Sequence, residues 1–331
     1  MDIGEALWGR AGRWLVTVTM VIELVFLSTL YPVLVGEMMA KSLSDIALPV
    51  WAWTIIGGCA LLPNALLKSL SQVAWSSIIT VLGALVIFLS VLVFCLTQLK
   101  DWHLDNMNEF DGVDFPEALG ILVSCYLVQP FAPFIESSMR NPERFGTAIG
   151  TSFVAWTCVN AVFSVICTLS FYPHTETAVT NNLPPGIFRQ SVNSMALVLV
   201  YTSYTLPIFT CFNVLERSAL AFLNTTTTDA TDIYRTPVQT LRIGLIVVTI
   251  LTASFVPNFG SLLTFVGSVT GILLQYIFPP VFHLSLYHVD LSWWETTLDV
   301  VMLGFGVSCM TICLVVPWLS SYRCFRSASC L

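Results

Sequence analysis

Charge is what this sequence has least of. Only 10% of its 331 residues are Asp, Glu, Lys or Arg, where a water-soluble domain carries roughly 25%. With hydrophobic residues at 56%, that shortage excludes a water-soluble fold of this length. Enzyme signatures are missing as well. No HExxH, no G-x-S-x-G and no phosphate-binding glycine loop occurs, so catalysis is not expected. A basic footprint is absent, because the formal net charge is −7, and no nucleic acid partner is expected. The opening MDIGEALWGR is charged and precedes no short apolar core with a small-residue cleavage site, so it does not read as a signal peptide. Of ten cysteines, eight (59, 95, 125, 158, 167, 211, 309 and 313) sit in apolar runs, where a thiol is a small hydrophobe. Cys309 and Cys313 lie one helical turn apart without a histidine or carboxylate to complete a zinc site. Cys324 and Cys330 fall in the tail. Neither a metal nor a cofactor is expected.

What is present is apolar length. A hydrocarbon core of about 30 Å takes about 20 apolar residues per helix. Nine runs approach this: Trp14–Met38, Val50–Leu67, Val73–Leu99, Phe115–Met139, Ala148–Phe171, Val192–Phe212, Leu241–Val256, Phe259–Leu284 and Leu298–Leu319. They lack the alternating pattern of a membrane barrel, which leaves the helix as the way to satisfy every backbone amide in lipid. The fold class is therefore all-α and polytopic, with about nine transmembrane helices and the lipid bilayer as its solvent.

Positive residues are enriched in cytoplasmic loops. With the N-terminus inside, Arg10, Arg13, Lys68, Arg140, Arg144, Arg217, Arg235 and Arg242 are cytoplasmic, and Lys41, Lys100, Arg189, Arg323 and Arg326 lie opposite. The opposite side instead collects acid in KDWHLDNMNEFDGVD, with Asp101, Asp105, Glu109, Asp111 and Asp114. It faces a lumen or the exterior. The single sequon, Asn224-Thr225-Thr226, then falls on the cytoplasmic side and is expected to stay unmodified. Two GxxxG spacings, Gly146 to Gly150 and Gly267 to Gly271, mark places where helix backbones can approach closely.

One run holds residues a plain span would avoid. SCYLVQPFAPFIESSM, residues 124–139, contains Gln129, Pro130, Pro133 and Glu136. Each proline removes a backbone donor and blocks helical bonding around its ring. The helix should break there. Carbonyls freed at membrane depth must be buried in protein or line a wet cavity, the arrangement in which transporters hold substrate. Ser124, Tyr126 and Gln129 precede the break and Glu136 follows it, either as a functional carboxylate or as a group reaching cytoplasmic water beyond a simple kink.

A second carboxylate lies deeper. Glu23 follows Trp14 by nine residues, or about 13.5 Å along a helix, near the bilayer centre. Desolvation there favours the protonated form, so Glu23 is a candidate proton carrier, or else a neutral acid bonded to a neighbouring helix. YTSYTLPIF, residues 201–209, places Tyr204 among hydroxyls ahead of Pro207, either as a cavity wall or as self-bonded helix side chains. His103, His174, His283 and His288 are expected in loops or at helix ends.

The segments GEALWGR (4–10), VIELVFLSTLYPVLVGEMM (21–39), LLPNALLKSLSQVA (61–74), SCYLVQPFAPFIESSM, NNLPPGI (181–187), VLERS (214–218) and FGSLLTFVGSVTGILLQYIFPPVFHL (259–284) resemble the amino acid/auxin permease family. The likeness runs over roughly residues 4–318 and leans to the branch that loads GABA and glycine into synaptic vesicles. It implies a LeuT-like transporter of two inverted five-helix repeats and a final helix, with substrate between the broken first and sixth helices. On that alignment Glu23 lies on the third helix and the break at Gln129–Pro133 on the sixth. Residues 1–114 would be three helices of the first repeat, 115–284 the second repeat, and 285–331 the final helix and tail.

Set against the family, the chain starts where the third helix begins. It would be either a fragment or a short form without half the site. The resemblance implies proton-coupled exchange of small neutral amino acids into vesicles. Tyr126, Gln129, Pro130, Phe131 and Tyr204 would bind substrate, and Glu23 and Glu136 would couple protons. The alternative is a transport-inactive homologue that senses a ligand or modulates a full-length partner.

Overall fold

A computed structural model describes residues 2–43, 46, 48–67, 70–98, 102, 115–172, 175–176, 178–184, 186–223, 235–256, 259–287 and 291–327. Lys68, Leu99, Lys100, the five acidic residues between 101 and 114, His103, His174, Asn224, His288 and Cys330 lie outside them.

The described chain is helical: α1 (Asp2–Ser42), α2 (Val50–Cys59) with a 3₁₀ turn at Leu62–Leu66, α3 (Leu70–Thr97), α4 (Phe115–Ser124), α5 (Ala132–Ser138), α6 (Phe145–Phe171), α7 (Ile187–Leu223), α8 (Arg235–Phe255), α9 (Phe259–Val266), α10 (Phe278–Tyr287) and α11 (Trp293–Ser327). Seven stretches among the described residues are long and apolar enough to cross a membrane. The other two expected runs form shorter apolar helices, Val50–Leu66 and Phe115–Ser124. This is an integral membrane protein of the all-α polytopic class.

Burial sorts the helices into a centre and a shell. Over their most apolar windows α1, α7 and the α9–α10 rod are 50%, 56% and 50% buried, against 11%, 6% and 17% for α3, α6 and α11. Apolar surface that meets no helix is left for lipid tails. The centre is α1, which packs against α2, α7, α8 and α9. Leu24, Val35, Leu61, Tyr204, Ile208, Phe212 and Ile246 are fully enclosed there.

Hydroxyls stitch these helices together. Tyr201 Oη donates to the Gly57 carbonyl at 2.8 Å, Thr205 Oγ1 to Asn64 Oδ1 at 3.1 Å, and Thr80 Oγ1 to Thr202 Oγ1 at 2.8 Å. The polar cluster at 201–209 thus serves helix contacts with α2 and α3. The two GxxxG spacings separate in the same way. Gly267 and Gly271 press on α4 and the chain after it, whereas Gly146 and Gly150 have nothing within 4 Å of where a Cβ would stand. The α6 spacing faces outward and packs no helix among the described residues, contrary to the sequence expectation.

At its start, α1 turns back on itself. Gly9, with φ 59° and ψ −148°, occupies a region open to glycine alone. The reversal lays Gly4 against Gly12 and lets Arg13 pair with Glu5 at 2.6 Å.

At the expected cytoplasmic end, Arg242 on α8 binds Glu216 on α7 with Nε and Nη2, each at 2.7 Å. Its Nη1 donates to the Leu67 carbonyl at 2.5 Å, and the guanidinium lies 5.2 Å from the Phe212 ring centroid. Three elements share one planar cation. Arg242→Ala would leave a half-buried Glu216 without its partner and is expected to cost about 2 kcal/mol, below the roughly 3–5 kcal/mol of a fully buried pair because both groups keep some solvent. Arg242→Lys should recover only part of this, since an ammonium cannot form the two-pronged pair and stack together. Thermal unfolding midpoints of the two variants check the order.

Candidate functional site

The helix that begins at Phe115 ends at Ser124 and resumes at Ala132. Residues 125–131 between them are unwound. Pro130 lies in this gap, but Pro133 does not. It stands in the first turn of α5, where its missing N–H is no loss because that donor has no partner inside a helix. The unwinding starts at Cys125, ahead of any proline, and neighbours hold it open. Trp156 Nε1 on α6 donates to the Cys125 carbonyl at 3.2 Å, and Gln275 Nε2 donates to the Tyr126 carbonyl. Ser124 Oγ is 2.9 Å from the Gly120 carbonyl and 2.8 Å from that of Leu263.

Gln275 comes from a second irregular stretch. Beyond α9 the winding widens to π geometry over Gly267–Gly271 and Leu273–Ile277 before α10 resumes. Such turns are rare and often lie at functional sites. The stretch packs so closely that Gly267 touches the Gly120 carbonyl. Two irregular backbones therefore face each other inside an otherwise regular bundle.

Glu23 on α1 borders the π stretch and is fully buried. Thr270 donates its hydroxyl to Oε2, while Oε1 has no partner among the described residues. A carboxyl group with one oxygen held and the other bare, cut off from water, can exchange a proton but is costly to leave as an isolated anion. Met20 and Leu24, on either side of it in the sequence, share a buried cluster with Phe131 from the break and Leu274 from the π stretch. The two features belong to one neighbourhood.

A cleft of about 420 Å³ opens between the break and α6, within the roughly 300–1,000 Å³ range of small-molecule sites. Tyr126, Val128, Ile135, Phe153 and Trp156 line it. Tyr126 Oη is 2.9 Å from Thr157 Oγ1, and its ring lies 5.9 Å from that of Phe153.

Of the residues singled out from sequence, Tyr126, Gln129, Pro130 and Phe131 stand together on the unwound segment. Tyr126 and Gln129 are half-buried, and Pro130 and Phe131 are buried. Tyr204 is elsewhere. Its hydroxyl is 3.1 Å from Thr249 Oγ1 on α8 and its ring meets Tyr31 edge-on at 6.0 Å. Glu136 is exposed on α5. His283 pairs with Asp299 at 2.6 Å, joining α10 to α11. Sequence reasoning missed Gln275, Thr270 and Trp156. Gln275 left a usable signal, as the one side-chain amide in the apolar run 259–284. Trp156 left none, since nothing in its own run marks it off from a lipid-facing residue.

The family of transmembrane amino acid transporter proteins matches residues 1–317. A vesicular inhibitory amino acid transporter of Xenopus tropicalis is 33% identical over 307 residues, which are 91% of this chain and 59% of that protein. The Homo sapiens protein of the same name is 32% identical over 90% of this chain and 58% of its own length. A vesicular GABA transporter of Caenorhabditis elegans is 26% identical over 96% of this chain and 65% of its own length. The chain thus spans less than two thirds of the length of these relatives.

Proposed function

Since this chain belongs to the transmembrane amino acid transporter family, we propose that it is a secondary transporter of small neutral amino acids of the GABA and glycine type, exchanging them for protons across a vesicle membrane. The observation that carries this reading is the unwound segment 125–131, held against a π-wound rod beside a buried carboxyl group. Among the described residues the Val128 and Gln129 N–H groups and the Leu127 and Gln129 carbonyls of this segment have no backbone partner, and they are offered to the two charged ends of an amino acid. Tyr126, Gln129, Pro130 and Phe131 form that segment, and Gln275 sets the direction of the Tyr126 carbonyl. Glu23 is the proton carrier. Glu136, beyond the break, would take up or release protons at the water-facing end, and Tyr204 would act through the α1–α8 contact.

The same reading assigns a partial LeuT-like inverted repeat to the nine apolar segments, divided at 1–114, 115–284 and 285–331. Its support is that the helix opening the second unit is the interrupted one.

The test is uptake of labelled glycine and GABA by the full chain in proteoliposomes with an imposed proton gradient. Saturable, gradient-dependent uptake is expected. Gln275→Leu, which leaves the Tyr126 carbonyl without its donor, should lower uptake roughly tenfold or more, the effect of losing one buried hydrogen bond at the site. Uptake unchanged in that variant would remove the central role of the break.

One observation favours a second reading, a chain that senses a ligand or modulates a partner without transporting. The α6 helix, which walls the cleft, is only 6% buried over its most apolar window. A chain that shifts conformation with glycine but shows no uptake would decide for it.

A further inference from the structure

Thr270 stands between two acceptors. Its hydroxyl donates to Glu23 Oε2 on α1, and its Oγ1 is also 3.2 Å from the Val266 carbonyl of its own rod. A threonine hydroxyl carries one hydrogen, so it serves only one of them at a time. Both Glu23 and Thr270 are buried. Little else competes for the carboxyl group. Among the described residues Glu23 enters no ion pair, and its Oε1 has no partner. The apolar cluster around its neighbours Met20 and Leu24 draws on α7, α8, the break and the rod, and the Cys211 thiol of α7 is its one titratable side chain among the described residues.

These two acceptors match the two states of an acid. A carboxylate needs a donor, and a hydrogen bond to a charged acceptor is the stronger kind. Once a proton sits on Oε2 the need reverses, because that oxygen now donates and Thr270 has to accept. The hydroxyl can then turn its hydrogen to the Val266 carbonyl and present a lone pair to the acid. Both hydroxyl hydrogens have an acceptor in this state. A proton on Oε1 would find none among the described residues.

We propose that Thr270 is a positioning residue for proton coupling: it donates to the Glu23 anion and, when Glu23 is protonated at Oε2, accepts from it while donating to the Val266 carbonyl. One proton arrives on Oε2, the Thr270 hydrogen swings about its own C–O bond, and no other group gains or loses a proton. The role in transport rests on the reading of Glu23 as proton carrier, and the hydroxyl exchange itself does not. Serine can stand in for Thr270. Valine has nearly the same shape but no hydroxyl.

The test takes the full chain in proteoliposomes and reads two signals. The first is the infrared carboxyl C=O stretch of protonated Glu23, identified as the band that Glu23→Gln removes. Thr270→Val should move this band, and Thr270→Ser should return it to the parent position. The second is transport. Gradient-driven glycine uptake should fall roughly tenfold in Thr270→Val, the effect of losing one hydrogen bond to a charged group. Exchange of labelled for unlabelled glycine without a gradient should fall far less, since it needs no net proton transfer, and Thr270→Ser should recover most of the uptake. Thr270→Ala replaces the valine variant if that chain does not fold. An unmoved band in Thr270→Val, or no carboxyl band lost in Glu23→Gln, overturns the proposal. A moved band with uptake and exchange reduced equally reduces Thr270 to a packing residue and overturns its coupling role. A moved band in a chain whose parent takes up no glycine keeps the hydroxyl exchange and removes the transport reading.

Discussion

A Glu23→Gln chain is expected to fold as the parent does and to lose uptake driven by a proton gradient, by roughly tenfold or more if the carboxyl group is the proton carrier. Glutamine fills the same volume and still accepts the Thr270 hydroxyl that Glu23 takes on Oε2. What it cannot do is gain or lose a proton. The bare Oε1 position becomes an amide nitrogen, which enters a site without a partner among the described residues. Glu23→Leu separates the two roles further. It removes the polar group altogether, and Thr270 Oγ1 keeps its 3.2 Å bond to the Val266 carbonyl. Stability should then change little or rise, because replacing a buried polar group by an apolar one of similar shape is often neutral. The measurement pairs gradient-driven uptake with unfolding midpoints for both variants. Parent-level uptake in Glu23→Gln would end the coupling assignment, whatever the stability.

The largest stability effect is expected from a single methyl group. Gly267→Ala would place a Cβ onto the carbonyl of Gly120 and against Ser124 Oγ. The first obstacle is backbone, which cannot rotate aside. Either α4 or the π stretch must move, at about 1–3 kcal/mol for overpacking of this kind. The move would also pull Ser124 from the Leu263 carbonyl, so the penalty should fall at the high end of that range. Gly146→Ala is the matched control. Nothing lies within 4 Å of its new Cβ, and alanine is the better helix former by about 1 kcal/mol. A drop in the unfolding midpoint for Gly267→Ala with no drop for Gly146→Ala is the expected pair. Equal effects would mean that the Gly120–Gly267 contact does not hold the break in place.

These two glycines show where sequence was legible and where it was not. Both stand in GxxxG spacings in apolar runs, and the pattern cannot say which face meets a helix and which meets lipid. Seven of the nine expected spans were readable, because about 20 apolar residues in lipid leave the backbone little alternative to a helix. The break was readable too, through Pro130. Its extent was not, since the unwinding begins at Cys125 and is held by Trp156 and Gln275 from segments 31 and 149 residues away. Pro133 misled for a local reason, as the ring that stops one helix can open the next. Glu23 stood out as a carboxyl group near the middle of an apolar run, where Glu37 lies at its end. Its partner Thr270 did not, because threonine usually bonds its own helix.

The wide turns between Gly267 and Ile277 also constrain how this gene can change length. Each residue in an α-helix advances the face by about 100°, so a one-residue deletion between Thr270 and Gln275 that left the wide turns as they are would swing everything beyond it to a new azimuth. Thr270 and Gln275 would no longer point to Glu23 and the Tyr126 carbonyl together. Beyond Gln275 a lost residue leaves both contacts in register and shortens a span that lipid can accommodate. Between Thr270 and Gln275 it would misalign two separate contacts at one stroke, so this segment should resist changes in length.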